Sequence, residues 1–121
     1  ISVVATPKRS VTKEEVLREF SAHPRIHVVR IADGFATNTS LFQFARFAHR
    51  PAADMYEVAV YEETIGFIGG DLVYAIYIPQ EAVTIPETID GIRASLKMQT
   101  DRLQAVSLTN KYLGMEPKRP L

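Results

Sequence analysis

The stretch MYEVAVYEETIGFIGGDLVYAIYIPQEAVTIPE, residues 55–87, leaves a chain like this few folding options. β-Branched and aromatic residues dominate it and turn residues recur at short intervals, the pattern of strands joined tightly. It predicts strands over residues 56–61, 64–68 and 71–78, joined at Glu62-Glu63 and at Gly69-Gly70, with the rest of the chain built to cover them. Tyr56, Val58, Val60, Phe67, Tyr74, Ile76 and Ile78 are assigned to one face. Tyr61, Ile68, Leu72, Val73, Ala75 and Tyr77 add apolar surface to the other. A sheet apolar on both faces usually has both covered, so one face is expected to carry helices and the other to meet a second subunit or domain.

The flanking segments read as the covering elements. Residues 2–6 (SVVAT) form a short strand candidate stopped by Pro7. Thr12 and Glu15 have the spacing of a capping box, with Val11 and Val16 at the staple positions, and predict a helix over 13–22 that Pro24 ends. Residues 25–31 (RIHVVRI) alternate toward a second strand that Asp33-Gly34 breaks, so a helical crossover joins two parallel or nearly adjacent strands. Thr37 is the expected N-cap of a second helix bearing Leu41, Phe42, Phe44, Ala45 and Ala48, closed by Pro51. Thr84-Ile85-Pro86-Glu87 repeats the cap signature ahead of a third helix with Ile89, Ile92, Ala94 and Leu96, interrupted by Gly91. A fourth helix starts near Thr100 or Asp101, buries Leu103, Val106 and Leu113, and stops at Gly114 as a C′ glycine. The expected architecture is α+β, a mixed, mainly antiparallel sheet with helices packed on one face in the order β-α-β-α-β-β-β-α-α. Residues 1–115 form one domain and 116–121 a Pro-rich tail.

Composition narrows the partners. The chain has 121 residues, 46% of them hydrophobic, with 14 basic and 14 acidic side chains, so its formal net charge is zero. A neutral surface offers no general attraction to nucleic acid or anionic lipid, and neither is expected as a partner. There is no cysteine, which removes disulfides, thiolate metal sites and any thiol nucleophile from this chain. No apolar run approaches the roughly 20 residues of a membrane span, and the expected location is the cytoplasm. The chain opens at Ile1 within a strand-like run, so it is expected to be part of something longer.

Phe67-Ile68-Gly69-Gly70-Asp71 has the glycines of a phosphate loop without its spacing or a following helix, and reads as a hairpin turn. His23, His27 and His49 are too scattered for a metal signature: His27 reads as a sheet residue, His23 and His49 as helix-end residues. Glu62-Glu63 reads as a solvated turn. Pro79-Gln80-Glu81 is different, because it follows a long apolar strand directly, where enzymes mount functional groups on a rigid edge. The Gln80 amide offers two donors and an acceptor, suited to another amide or a sugar hydroxyl.

Taken in order, Pro24-Arg25-Ile26, Asp33-Gly34-Phe35, Phe44-Ala45-Arg46, Asp54-Met55-Tyr56-Glu57-Val58, Glu62-Glu63-Thr64-Ile65, Gln80-Glu81-Ala82-Val83, Ile85-Pro86-Glu87, Ile89-Asp90-Gly91-Ile92-Arg93-Ala94, Thr109-Asn110-Lys111 and Leu113-Gly114 resemble the C-terminal part of the archaeal-type (class II) glyceraldehyde-3-phosphate dehydrogenases. The resemblance implies the later part of that catalytic domain with the C-terminal helix. It also implies a parent enzyme that oxidises glyceraldehyde 3-phosphate with phosphate to 1,3-bisphosphoglycerate, using NAD or NADP. A cysteine thiolate, a histidine base and a nucleotide-binding domain carry that chemistry. None of the three is found in this chain, and its histidines match no catalytic position, so the isolated chain is expected to be inactive, with no catalytic residue, no metal and no cofactor of its own. Pro79 stands where the family usually has a histidine, and Gly91 where a helix-forming alanine is expected. As cofactor-binding residues the resemblance implies Gln80 and Glu81, near the nicotinamide, and Asn110, able to reach the same side. It implies as partners the missing N-terminal nucleotide-binding part and a homotetramer assembled through the sheet. The alternative is a free-standing, non-enzymatic interaction or ligand-binding domain derived from the same fold.

Overall fold

The computed structural model describes residues 1–48, 50, 52 and 54–115. In chain order these form β1 (Ser2–Ala5), α1 (Lys13–Ala22), β2 (Ile26–Val29), α2 (Asn38–Phe47), β3 (Val58–Tyr61), β4 (Gly66–Ile68), β5 (Asp71–Tyr77), α3 (Gln80–Ser95) and α4 (Arg102–Tyr112), with 3-10 turns at Ile31–Asp33 and Glu62–Thr64. The order and the mixed, mainly antiparallel α+β sheet are those expected. The readings placed on His49, Pro51 and residues 116–121 lie outside the described residues.

β5 is the axis of the sheet. β1 pairs antiparallel with it, Ser2 opposite Ala75 and Ala5 opposite Leu72. On its other edge β4 pairs along the first half, Ile68 opposite Asp71, and β3 along the second, Ala59 opposite Tyr77. β2 lies outside β3 and parallel to it, His27 opposite Ala59. β1 and β2 therefore run in the same direction, as a crossover through α1 requires, but β5 and β3 stand between them.

The expected hairpin at Glu62-Glu63 is not formed. β3 and β4 share one edge of β5, and the turn at Glu62–Thr64 is an outward bulge between them. Thr64 closes the gap: its hydroxyl donates to the Tyr61 carbonyl at 2.7 Å and accepts from the Ala75 N–H at 2.8 Å. The hairpin expected at Gly69-Gly70 does form, with φ of +61° and +94° at the two glycines and Ile68 facing Asp71. Positive φ at both central residues is the type I′ geometry that follows the strand twist.

Side-chain alternation in β3 divides the core. Val60 faces α1, where Val16, Leu17 and Phe20 pack on Ile65, Leu72, Tyr74 and Ile76. Leu72 belongs to this face, not to the opposite one as first assigned, because it shares parity with Tyr74. Ala59 faces the other way, where Leu41 and Ala45 of α2 pack on Val29 and Met55, with Tyr61 and Tyr77 against them. α2 thus covers the β2–β3 half of the second face. The β1–β5–β4 half stays open, and Val4 and Ile68 are 68% and 70% exposed.

α3 begins at Gln80, a turn earlier than the Thr84–Glu87 signature suggests, and Pro86 lies within it. The Pro79 carbonyl accepts from the N–H groups of Ala82 and Val83 at 3.1 and 2.9 Å, so the helix is nucleated where β5 ends. α4 is capped as expected by Asp101, whose carboxylate accepts from the Gln104 N–H at 2.8 Å. It ends in a Schellman motif: Gly114, at φ +69°, donates to the Lys111 carbonyl at 3.3 Å, and Met115 donates to that of Asn110 at 2.8 Å. Among the described residues no helix is long and apolar enough to cross a membrane.

Candidate functional site

The end of β5 passes through Pro79 straight into the first turn of α3, which places Gln80 and Glu81 on the surface at the carboxyl end of the longest strand. Beneath that turn, Ala82 packs on Tyr56 and Met115, with Leu113 alongside, so the start of α3 and the end of α4 converge on the entry to β3. Tyr77 is close enough to Glu81 to feel its charge. Burial pushes the Tyr77 hydroxyl above its ordinary pKa, and Glu81, then Tyr61, push it further. Tyr77 stays neutral near pH 7 and remains a hydrogen-bond donor.

Asn110 lies elsewhere on the same pair of helices. It is fully buried on α4, and its Oδ1 accepts from Arg25 Nε at 3.0 Å. No hydrogen bond joins it to Gln80 or Glu81, and its Nδ2 has no partner among the described residues. Arg25, just ahead of β2, is the hub. Nη1 donates to Glu87 and Nη2 to Asp90, both at 2.6 Å. Asp90 also accepts from the Thr109 hydroxyl at 2.5 Å, and Arg93 donates to that hydroxyl in turn. Two arginines and two carboxylates thus balance in a network that ties the α1–β2 junction to α3 and α4. It forms one wall of a cleft of about 540 Å³ between the helices, lined also by His23, Thr100 and Arg102.

A second buried network flanks the first along β2. Glu57 and Arg50 form a two-pronged ion pair, and His27 Nε2 lies 3.4 Å from Glu57 Oε1. Burial alone would raise the Glu57 pKa, but the Arg50 and His27 contacts outweigh it and hold the carboxyl at about 2. His27 also sets its ring edgewise against Phe44. It is a sheet residue, as expected, and His23 forms the C-cap of α1. No group of three or more His, Cys, Asp or Glu side chains among the described residues could hold a metal ion.

Both networks escaped the sequence reading. Arg25 and Glu57 entered it as members of predicted strands and of resembling fragments, and Glu87 as a capping residue, none of them as a buried charge. The available cue was Arg25 leading directly into the mostly apolar run of β2, since a buried arginine needs carboxylates brought to it.

No protein-family model matches the chain. It is similar to proteins named glyceraldehyde-3-phosphate dehydrogenase from Thermococcus kodakarensis (35% identical over 114 residues, 94% of this chain and 34% of the relative). Those of Methanococcus maripaludis strain S2 (34% over 103 residues, 85% and 30%) and Methanocaldococcus jannaschii (33% over 106 residues, 88% and 31%) are similar too. The chain therefore spans about a third of the length of the curated relatives it matches. By residues running nearly its whole length, it belongs to the archaeal-type glyceraldehyde-3-phosphate dehydrogenases, as the counterpart of their C-terminal part.

Proposed function

We propose that this chain is the C-terminal part of an NAD(P)-dependent enzyme that oxidises glyceraldehyde 3-phosphate with phosphate to 1,3-bisphosphoglycerate in the cytoplasm. The observation that carries the reading is the match to so-named dehydrogenases over 85–94% of the chain. With no cysteine here, the thiol that attacks the aldehyde belongs to the N-terminal part, together with the main cofactor site. The bound cofactor supplies the acceptor for the hydride. This chain supplies a wall beside it: Gln80 and Glu81, exposed on the first turn of α3, border the nicotinamide, and the Gln80 amide can pair with a carboxamide in both directions. The fully enclosed Asn110 serves that wall from within, through Arg25. The open half of the sheet, with Val4 and Ile68 exposed beside Val73 and Ala75, is the face through which subunits assemble into a homotetramer.

The test is the full-length protein that carries this chain, assayed for NAD(P)H formation from glyceraldehyde 3-phosphate and phosphate, with the isolated 121-residue chain as control. Turnover by the full-length protein and none by the chain is expected. A folded, full-length protein with its cysteine intact that reduces neither cofactor refutes the proposal, as does turnover by the chain alone.

A further inference from the structure

Arg25 is held from both sides. Its carbonyl accepts from the Val58 N–H at 3.1 Å, where β3 begins, and its own N–H donates to His23 Nδ1 at 3.2 Å. Its side chain, 6% exposed, reaches Glu87 and Asp90 on α3 and Asn110 on α4. A guanidinium only donates, so Asn110 must turn its oxygen toward Arg25, and the geometry admits one amide orientation.

Besides Arg25, the directional contacts of α3 are those of Asp90 and Arg93 with Thr109 on α4, all in the second half of the helix. Its buried residues are Ala82 and Pro86, which with Asp90 recur every fourth position along one line of the helix. The contact of Ala82 with Tyr56 and Met115 fixes how closely the first turn approaches the sheet. Apolar contact is non-directional and leaves the helix free to roll, whereas a guanidinium fork gripping two carboxylates is directional. We infer that Arg25 is a positioning residue: by gripping Glu87 and Asp90 it sets the roll of α3 and so the direction in which Gln80 meets a nicotinamide carboxamide. The inference rests on the proposal that the first turn of α3 borders the cofactor. With side chains about 5–6 Å from the helix axis, a roll of about 10° moves Gln80 by about 1 Å. A displacement of about 1 Å can cost up to about a hundredfold in a positioned contact.

The experiment is a double-mutant cycle on the full-length protein, read by calorimetric titration with NAD and NADP, with thermal unfolding followed alongside. Arg25→Lys keeps the charge but loses the fork, and Arg25→Met removes the donors. Arg25→Lys is expected to fold and to weaken cofactor binding about tenfold or more, and Gln80→Ala to weaken it similarly. In the Gln80→Ala background Arg25→Lys should change binding less than twofold, because the group it aims is gone. A general loss of stability would not produce that non-additivity. Unchanged affinity in Arg25→Lys overturns the inference, as do effects that multiply. Loss of cooperative unfolding in both Arg25 variants also overturns it, making Arg25 a folding residue. A wild-type protein that binds neither cofactor fails at the earlier step and refutes the cofactor reading itself.

Discussion

Glutamate 57 offers a test of the buried electrostatics in which sign and size both follow from the structure. Its side chain is 1% exposed, and Arg50, 7% exposed, donates to both of its oxygens. Burial works to raise its pKa, but Arg50 and His27 together lower it from an ordinary 4.5 to about 2. A carboxyl with a depressed folded-state pKa stabilises the fold above its unfolded pKa and loses that contribution as pH falls toward the folded one. The gap of about 2.5 units corresponds to about 3 kcal/mol at pH 7, of which about 2 kcal/mol should be gone by pH 3. Glu57→Gln removes the charge and strands Arg50, a class of change that costs about 3–5 kcal/mol. Urea unfolding of wild type and variant at pH 7, 5 and 3 should therefore give a stability gap of about 3 kcal/mol that narrows to about 1 kcal/mol at pH 3, as the carboxyl of the unfolded wild-type chain takes up its proton while the folded one stays ionised. A gap that stays constant from pH 7 to pH 3 would refute the reasoning, since the variant would then lack something other than the titrating charge.

Two further changes probe the turns that shape the sheet and the helix pair. Gly114→Ala puts a side chain at φ +69°, which should cost about 1–2 kcal/mol and lower the melting temperature by several degrees; an unchanged melting temperature would mean that the Schellman turn does not hold the end of α4. Thr64→Val keeps the shape but removes the hydroxyl that bridges Tyr61 and Ala75, at a cost of about 1 kcal/mol. Hydrogen exchange at the Ala75 amide should accelerate in that variant, and equal protection in the two proteins would show the bulge to be closed by something else.

How much of this could be read beforehand depended on how far apart the cooperating residues lie. The Thr12–Glu15 capping box, the Thr37 and Asp101 caps, the two-glycine turn and the Gly114 stop each involve partners within a few positions, and each is found where local pattern puts it. Local pattern fails where a distant partner outbids a nearby one. Thr84-Ile85-Pro86-Glu87 has the spacing of a cap, but Pro79 offers its carbonyl to α3 a turn earlier, and the Glu87 carboxylate is drawn to Arg25, 62 positions away. Glu62-Glu63 looks like a hairpin turn until the edge of β5 proves long enough to take both β3 and β4. The Arg25 hub is the extreme case, since its partners lie 62, 65 and 85 positions further along the chain. No periodicity in β2 can announce them. Burying a guanidinium is favourable only when every one of its partners arrives, so this network forms with the tertiary fold and not before it. The surface position of Gln80 at the end of β5 follows from local signals, a strand running into a helix. What aims it is inferred from residues that meet only once the chain has folded.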